Sequence, residues 1–295
     1  MINDAARQYT DKELARLERA LQKEYTRAAK ELSEKWAAYM QQYTGQGKPL
    51  YDAMLRAKAS GDKAAYAAAK REYQRFAREH TLRSRQYQRV RDNLANALAD
   101  LDRAAKDIIN GRLPYIYSVN FNALAADLPA GYAYGLITPQ TVRNLALRQL
   151  DFANAVAWNK QLMNSEVLQG ILHGESMDKI AERFARVLGL NETAAIRDAR
   201  TAVTDAENKG RLDSYYEAEA NGTVLVKVWS ATHDERTRDS HMDNDGIELP
   251  LNEEFPNGQQ RPGDPTEPAE YYNCRCALGT RIIGFRRKDG SIVYV

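Results

Sequence analysis

The chain has 295 residues, with 42 Lys or Arg against 40 Asp or Glu and a formal net charge of +2, room for one large domain or two modest ones. Its 43% hydrophobic and 28% charged residues match a soluble protein, and no apolar run reaches the roughly 18–20 residues of a membrane span. Only two cysteines exclude a disulfide-stapled secreted scaffold. The opening MINDAARQYTDKELARLERA lacks the basic-then-apolar pattern of a signal peptide, so the expectation is a protein that stays in the cytoplasm that makes it.

Leu14, Leu17, Leu21, Tyr25, Ala28, Leu32, Trp36, Tyr39 and Tyr43 recur in steps of three and four, which predicts one long amphipathic helix over 11–43. Thr10 followed by Glu13 fits a capping box at its start, and Gly45, Gly47 and Pro49 are expected to end it. A shorter Ala-rich helix follows, broken near Ser60-Gly61. From Asp62 the chain is again rich in helix formers, and Val90, Leu94, Ala97, Leu101, Ala105 and Ile108 carry a stripe to a stop at Asn110-Gly111. Long helices joined by short turns predict a hairpin or arm over 1–111.

Residues 112–137 hold Gly and Pro breaks and several tyrosines, and read as a connector. Thr138-Pro139 is a helix start, for a helix through Val142, Leu145, Leu150, Ala153, Ala157 and Leu162 to Gln169-Gly170. Ser176 caps another, through Ile180, Phe184 and Leu188 to Gly189, and Asn191 caps a third from Glu192 to Ala220, stopped by Asn221-Gly222. The connector and central helices make up 112–190, and a C-terminal module takes 191–295. There the period switches: Val224–Trp229 and Ala277–Phe285 have strand composition, and Lys288-Asp289-Gly290 turns into a third strand over 291–295. The fold class is mainly α with a small C-terminal α+β module: a long N-terminal helical hairpin or arm, central helices, and a short antiparallel sheet near the C-terminus.

The unusual chemistry lies between Val224 and Arg281. Cys274 and Cys276, two apart in an extended segment, face the same side and are too close for an unstrained disulfide with each other. They can jointly hold a soft metal, and His233 and His241 would complete a Cys2His2 set suited to tetrahedral zinc. The other reading makes His241 and the cysteines small buried groups, hydrogen-bonded to a rigid loop. Asp234, Arg236, Arg238, Asp239, His241, Asp243 and Asp245 similarly read either as a hydrolytic site or as an ion-pair network pinning the long loop 246–273. No Ser-His-Asp arrangement, phosphate-cradling glycine loop or HExxH helix is present.

Between Arg56 and Arg91 about eleven Lys or Arg face three Asp or Glu, with Tyr66, Tyr73, Phe76 and Tyr87 interleaved. Arg71, Arg75, Arg78, Arg83, Arg85 and Arg89 are candidates for phosphate contact, against the alternative of a solvated face whose aromatics belong to the core. His80 and His173 read as surface residues, and Trp36, Trp158 and Trp229 as core.

Trp229, then Asp234, Arg236, Arg238 and His241, then Asp245-Gly246, Pro262-Gly263-Asp264 and Asn273-Cys274-Arg275-Cys276, form an ordered pattern that resembles the phage head-morphogenesis family, minor head proteins similar to the F protein of phage Mu. The resemblance covers about a third of the chain, from about Ala195 onward. It implies a non-enzymatic minor virion component that is needed for head assembly. Its expected place is the capsid interior at the portal vertex. The partners it implies are the portal protein and the major capsid or scaffold protein, with packaged double-stranded DNA a further contact and delivery with the DNA a further role. Family members are sometimes fused to toxin domains such as ADP-ribosyltransferases, and with the sequence ending soon after NCRC no such domain is expected. The alternatives are a metal-dependent hydrolase or nuclease using His233, Asp234, His241, Cys274 and Cys276, and a DNA-binding protein acting through the basic helices. Apart from zinc, no cofactor is expected.

Overall fold

A computed structural model describes residues 4–142 and 155–295. The elements run α1 (Asp4–Ala59), α2 (Lys63–His80), α3 (Arg85–Asn110), α4 (Leu113–Ala125), α5 (Pro139–Val142), α6 (Ala155–His173), α7 (Met177–Ala220), β1 (Thr223–Ser230), α8 (Asp239–Asp243), β2 (Glu248–Leu249), α9 (Pro268–Tyr271), β3 (Ala277–Arg286) and β4 (Ile292–Tyr294). The protein is mainly α with a C-terminal antiparallel sheet, as its periodicities predict. No helix among the described residues is long and apolar enough to cross a membrane.

Several predicted boundaries are correct. Asp62 caps α2 by accepting from the backbone N–H groups of Ala64 and Ala65. Ser176 accepts from Lys179, and Thr138 Oγ1 from Thr141. Gly61 and Gly222 take positive φ just past α1 and α7, where a side chain would be strained. The predicted residues Leu145, Leu150 and Ala153 lie outside the described residues.

Four expectations are corrected. First, α1 starts at Asp4, so Thr10 lies inside it. Its hydroxyl bonds back to Ala6 O and forms no capping box. Second, α1 runs on through Gly45, Gly47 and Pro49, despite costs of about 1 kcal/mol per glycine and about 3 for proline. Continued packing offsets them: Tyr51 meets Tyr73, Met54 is buried, and Gly47 lies so close to Phe76 that a Cβ would come within 2.8 Å of its ring. Third, residues 113–125 form helix α4 in place of a connector. Pro114 falls in its first turn, where no N–H is needed, and Leu113, Ile116, Tyr117, Phe121 and Leu124 bury it nearly all round. Fourth, α7 is continuous through Gly189 and Asn191. The Asn191 side chain is buried and donates to Asn159 Oδ1 at 3.0 Å, so it caps nothing.

The described residues divide into two compact units, one made of those within Met1–Ala20, Lys106–Asp151 and Ile196–Val295, the other of those within Leu21–Ala105 and Phe152–Ala195. The second unit is helical. Its core gathers Trp36, Tyr87, Met163, Ile180 and Phe184, with Trp36 ring centroids 5.6 Å from Phe184 and 5.7 Å from Tyr87. Arg183 ties α6 to α7 through Glu166 and Glu175, and this pairing holds the Glu175 carboxyl below its usual range. Trp158, expected in a core, is 46% exposed. His173 is exposed, whereas His80 stacks on Tyr43 and packs at a tilt against Phe76.

The first unit carries the sheet, in the order β2-β1-β3-β4. β1 and β3 pair antiparallel from Thr223↔Phe285 to Ser230↔Ala277, with a bulge at Val224/Leu225. Alternation in β1 buries Thr223, Leu225, Lys227 and Trp229 and leaves its valines half-covered.

Candidate functional site

The middle of α7 presents Thr201, Thr204, Asn208 and Arg211, spaced three, four and three apart and therefore on one face. This buried polar stripe reads the backbone of 273–278. Thr201 Oγ1 accepts from Asn273 N at 3.1 Å, and Thr204 Oγ1 donates to Cys274 O at 2.7 Å. Asn208 is bidentate, giving Nδ2 to Cys276 O at 3.1 Å and accepting Leu278 N at 2.7 Å. Arg211 donates to Leu278 O and pairs with Glu207, which also holds Arg7. Arg7 in turn donates to Arg275 O at 3.0 Å. Asn273 adopts φ +53, which turns the chain just before the cysteines. The sequence signal for this stripe is four polar residues at helical spacing, Thr201, Thr204, Asn208 and Arg211.

That docking points both cysteines at α8. His241 is buried, and its Nδ1 lies 3.7 Å from Cys274 Sγ and 3.5 Å from Cys276 Sγ. On its other side Nε2 meets Glu270 Oε2 at 3.1 Å. Glu270 also accepts from Ser240 Oγ at 3.0 Å and Asn257 Nδ2 at 3.3 Å. Trp229, fully buried, walls the imidazole edge-on at 5.2 Å and packs on Phe255. The thiols are free and interact with each other. Cys276 accepts a hydrogen bond from Cys274 and faces His241, which holds it below the ordinary thiol value. Cys274, donating that bond from a buried position, is pushed well above it.

Other predicted members of the cluster are placed elsewhere. His233 is exposed and pairs with Asp245 Oδ2 at 2.9 Å. Among the described residues, the one group of three or more His, Cys, Asp or Glu side chains with ligand atoms all within 4.8 Å of one another is His241, Cys274 and Cys276. Asp234 is gripped two-pronged by Arg275, which holds its carboxyl well below the usual range. Arg238 donates to Tyr272 O at 2.5 Å. Asp239, Asp243 and Arg236 are exposed.

The loop 246–273 is pinned largely by groups outside the predicted network. Lys227 Nζ donates to Leu251 O, Gln260 O and Gln260 Oε1 at 2.8–3.1 Å. Arg261 pairs with buried Asp205 at 2.8 Å. Gly263, at φ +77, brings its backbone against Thr204, where a Cβ would come within 3.1 Å. Beside the cysteines opens a cleft of about 420 Å³, lined by Arg200, Arg236, Arg238 and Arg275 together with Thr204 and Cys274. Arg200 and Arg275 are compensated by Glu18 and Asp234.

In the helical unit, Arg71, Arg75, Arg83, Arg85 and Arg89 are exposed and, among the described residues, pair with no carboxylate. Arg78 is half-buried. Tyr73 and Tyr87 are fully buried, so these two aromatics serve the core and cannot stack on bases.

Residues 161–279 match the family described as Phage Mu protein F like protein. The chain is 32% identical to the minor head protein GP7 of Bacillus phage SPP1 over 116 residues, 38% of this chain and 37% of that protein. It is 28% identical to an NAD(+)--arginine ADP-ribosyltransferase, EFV, of Enterococcus faecalis over 159 residues, 52% of this chain and 32% of that protein. The chain thus spans about a third of the length of each of these relatives. No solved structure matches it.

Proposed function

We propose, from the match of residues 161–279 to the family of phage Mu F-like proteins and the likeness to a phage minor head protein, that this chain is a minor structural component of a tailed-phage head, seated at the portal vertex inside the capsid. The observation that carries the reading is the overlap of that match with one folded assembly, in which Asn273, Cys274 and Cys276 dock on a single stripe of α7 and His241, walled by Trp229, faces the two cysteines. The partners under this reading are the portal ring and the major capsid or scaffold protein. A structural role also suits the carboxylate a hydrolytic mechanism would use as base: Asp234 is held in an ion pair by Arg275.

Contact with packaged double-stranded DNA, and delivery with it, is supported by the exposed arginines of α2 and α3. The test is sedimentation of the purified chain with the portal ring of the same phage, alongside analysis of purified virions for the chain. Comigration with the ring and presence in virions at low copy are expected. A chain that sediments alone and is absent from virions overturns the reading.

A further inference from the structure

We infer that His241, Cys274 and Cys276 ligate one zinc ion, which fastens the turn α8 to the entry of β3. The inference stands on side-chain geometry and is independent of the head role. Zinc bonds of ~2.3 Å to sulfur and ~2.05 Å to nitrogen, at tetrahedral angles, give sulfur–nitrogen edges of about 3.5 Å. The two edges here measure 3.5 and 3.7 Å and all three ligand atoms lie within 4.8 Å of one another, the spacing an ion held between them requires.

The orientation of the imidazole points the same way. With Glu270 Oε2 accepting a hydrogen bond from Nε2–H, the Nδ1 lone pair faces the two sulfurs. A carboxylate behind a histidine is the usual means of fixing the tautomer of a metal ligand and raising its basicity. Without a metal, the imidazole nitrogen is left in hydrogen-bond contact with two thiols. With one, the thiols release their protons to solvent and become thiolates, and each member of the group has a role.

The backbone is organised to the same end. Thr201, Thr204 and Asn208 fix residues 273–278 before any ligand arrives, so both sulfurs are preorganised. No fourth His, Cys, Asp or Glu atom joins the group among the described residues. A cavity of about 10 Å³ adjoins the ligands, lined by Thr232, Thr237 and Arg238 among others. That is about the volume one water requires, and a water there completes the tetrahedron. A soft, two-sulfur donor set selects zinc over magnesium or calcium.

Elemental analysis of the full chain, purified under reducing conditions, is expected to give about one zinc per chain. Cobalt titration of chelator-treated protein should give the visible bands of tetrahedral cobalt and a near-ultraviolet thiolate charge-transfer band. Cys276→Ser and His241→Gln should lose the metal, while His233→Ala keeps it. Glu270→Gln should weaken zinc binding about 10–100-fold. Unmodified protein that holds neither zinc nor cobalt in stoichiometric amount, or cobalt without the charge-transfer band, overturns the site. So does a zinc content that survives Cys276→Ser or falls equally in His233→Ala. The cobalt spectrum of the unmodified chain decides the matter even where a cysteine variant fails to fold.

Discussion

Lys227 stands on the buried face of β1, between Leu225 and Trp229, where alternation would otherwise place another apolar side chain. Its ammonium is satisfied by three oxygens and lies 5.1 Å from the Phe255 ring centre. Burial pulls it from 10.5 down to about 8, against the attraction of Asp264, Glu253 and Glu254. Between these values the unfolded chain binds the extra proton, so stability attributable to this group rises as pH climbs from about 8 to 10.5. The rise is on the order of 3 kcal/mol, and it should appear as the difference between wild-type and Lys227→Met urea profiles; profiles that stay parallel across that window would refute it. Asp234 has the same slope in an acid window, but there the shift is stabilising at neutral pH. Arg275 depresses its folded value, so its contribution is full above the ordinary carboxylate value near 4 and is lost as pH falls toward the depressed one. Asp234→Asn should flatten the acid limb of the stability profile. Cysteines and histidines are rare types crowded into a short stretch, so His241, Cys274 and Cys276 were legible in sequence. Glu270 was not, being one acid in an acidic loop with no spacing that links it to His241.

Among the helices, periodicity found the strong stripes and capping chemistry found several ends, but Gly and Pro gave false stops in α1 and α7. A glycine signals what the backbone can do, and long-range packing decides whether it does so. Gly45 and Gly189 sit in helix interiors with open space where a Cβ would go. Gly45→Ala and Gly189→Ala should each stabilise by about 0.5–1 kcal/mol. Gly210, in the same helix as Gly189, lies against α4, and a Cβ there would come within 2.6 Å of the Tyr117 carbonyl oxygen. Backbone cannot yield cheaply, so Gly210→Ala should destabilise by about 1–3 kcal/mol. Denaturant midpoints of the three variants should therefore move in opposite directions, and a uniform shift would show that propensity alone governs these helices.

At the scale of the whole chain, both units are assembled from segments distant in sequence, and periodicity carries no information about which helix meets which. The sheet is the exception, since two β-branched runs and a tight turn suffice to propose β1, β3 and β4; β2 has only two residues and no pattern to find. Net charge near zero conceals the basic surface of α2 and α3. If Arg71, Arg75, Arg83, Arg85 and Arg89 each neutralise one phosphate, log affinity for double-stranded DNA should fall with log salt at a slope of about −4.5. Replacing all five with Gln should bring the slope near zero. Salt-independent binding, or a slope unchanged by the replacements, would remove DNA from the list of partners.

An amine that loses its proton near pH 8 is a strong nucleophile, yet Lys227 has no exposed surface. The exposed lysines are accessible in the folded protein and should be acylated at once, whereas this one can react only while the strand is open. Its rate of modification, followed by mass spectrometry on the corresponding peptide, is thus an internal clock for how often the sheet breathes. A partner seated on the sheet would slow that clock without needing to touch the lysine.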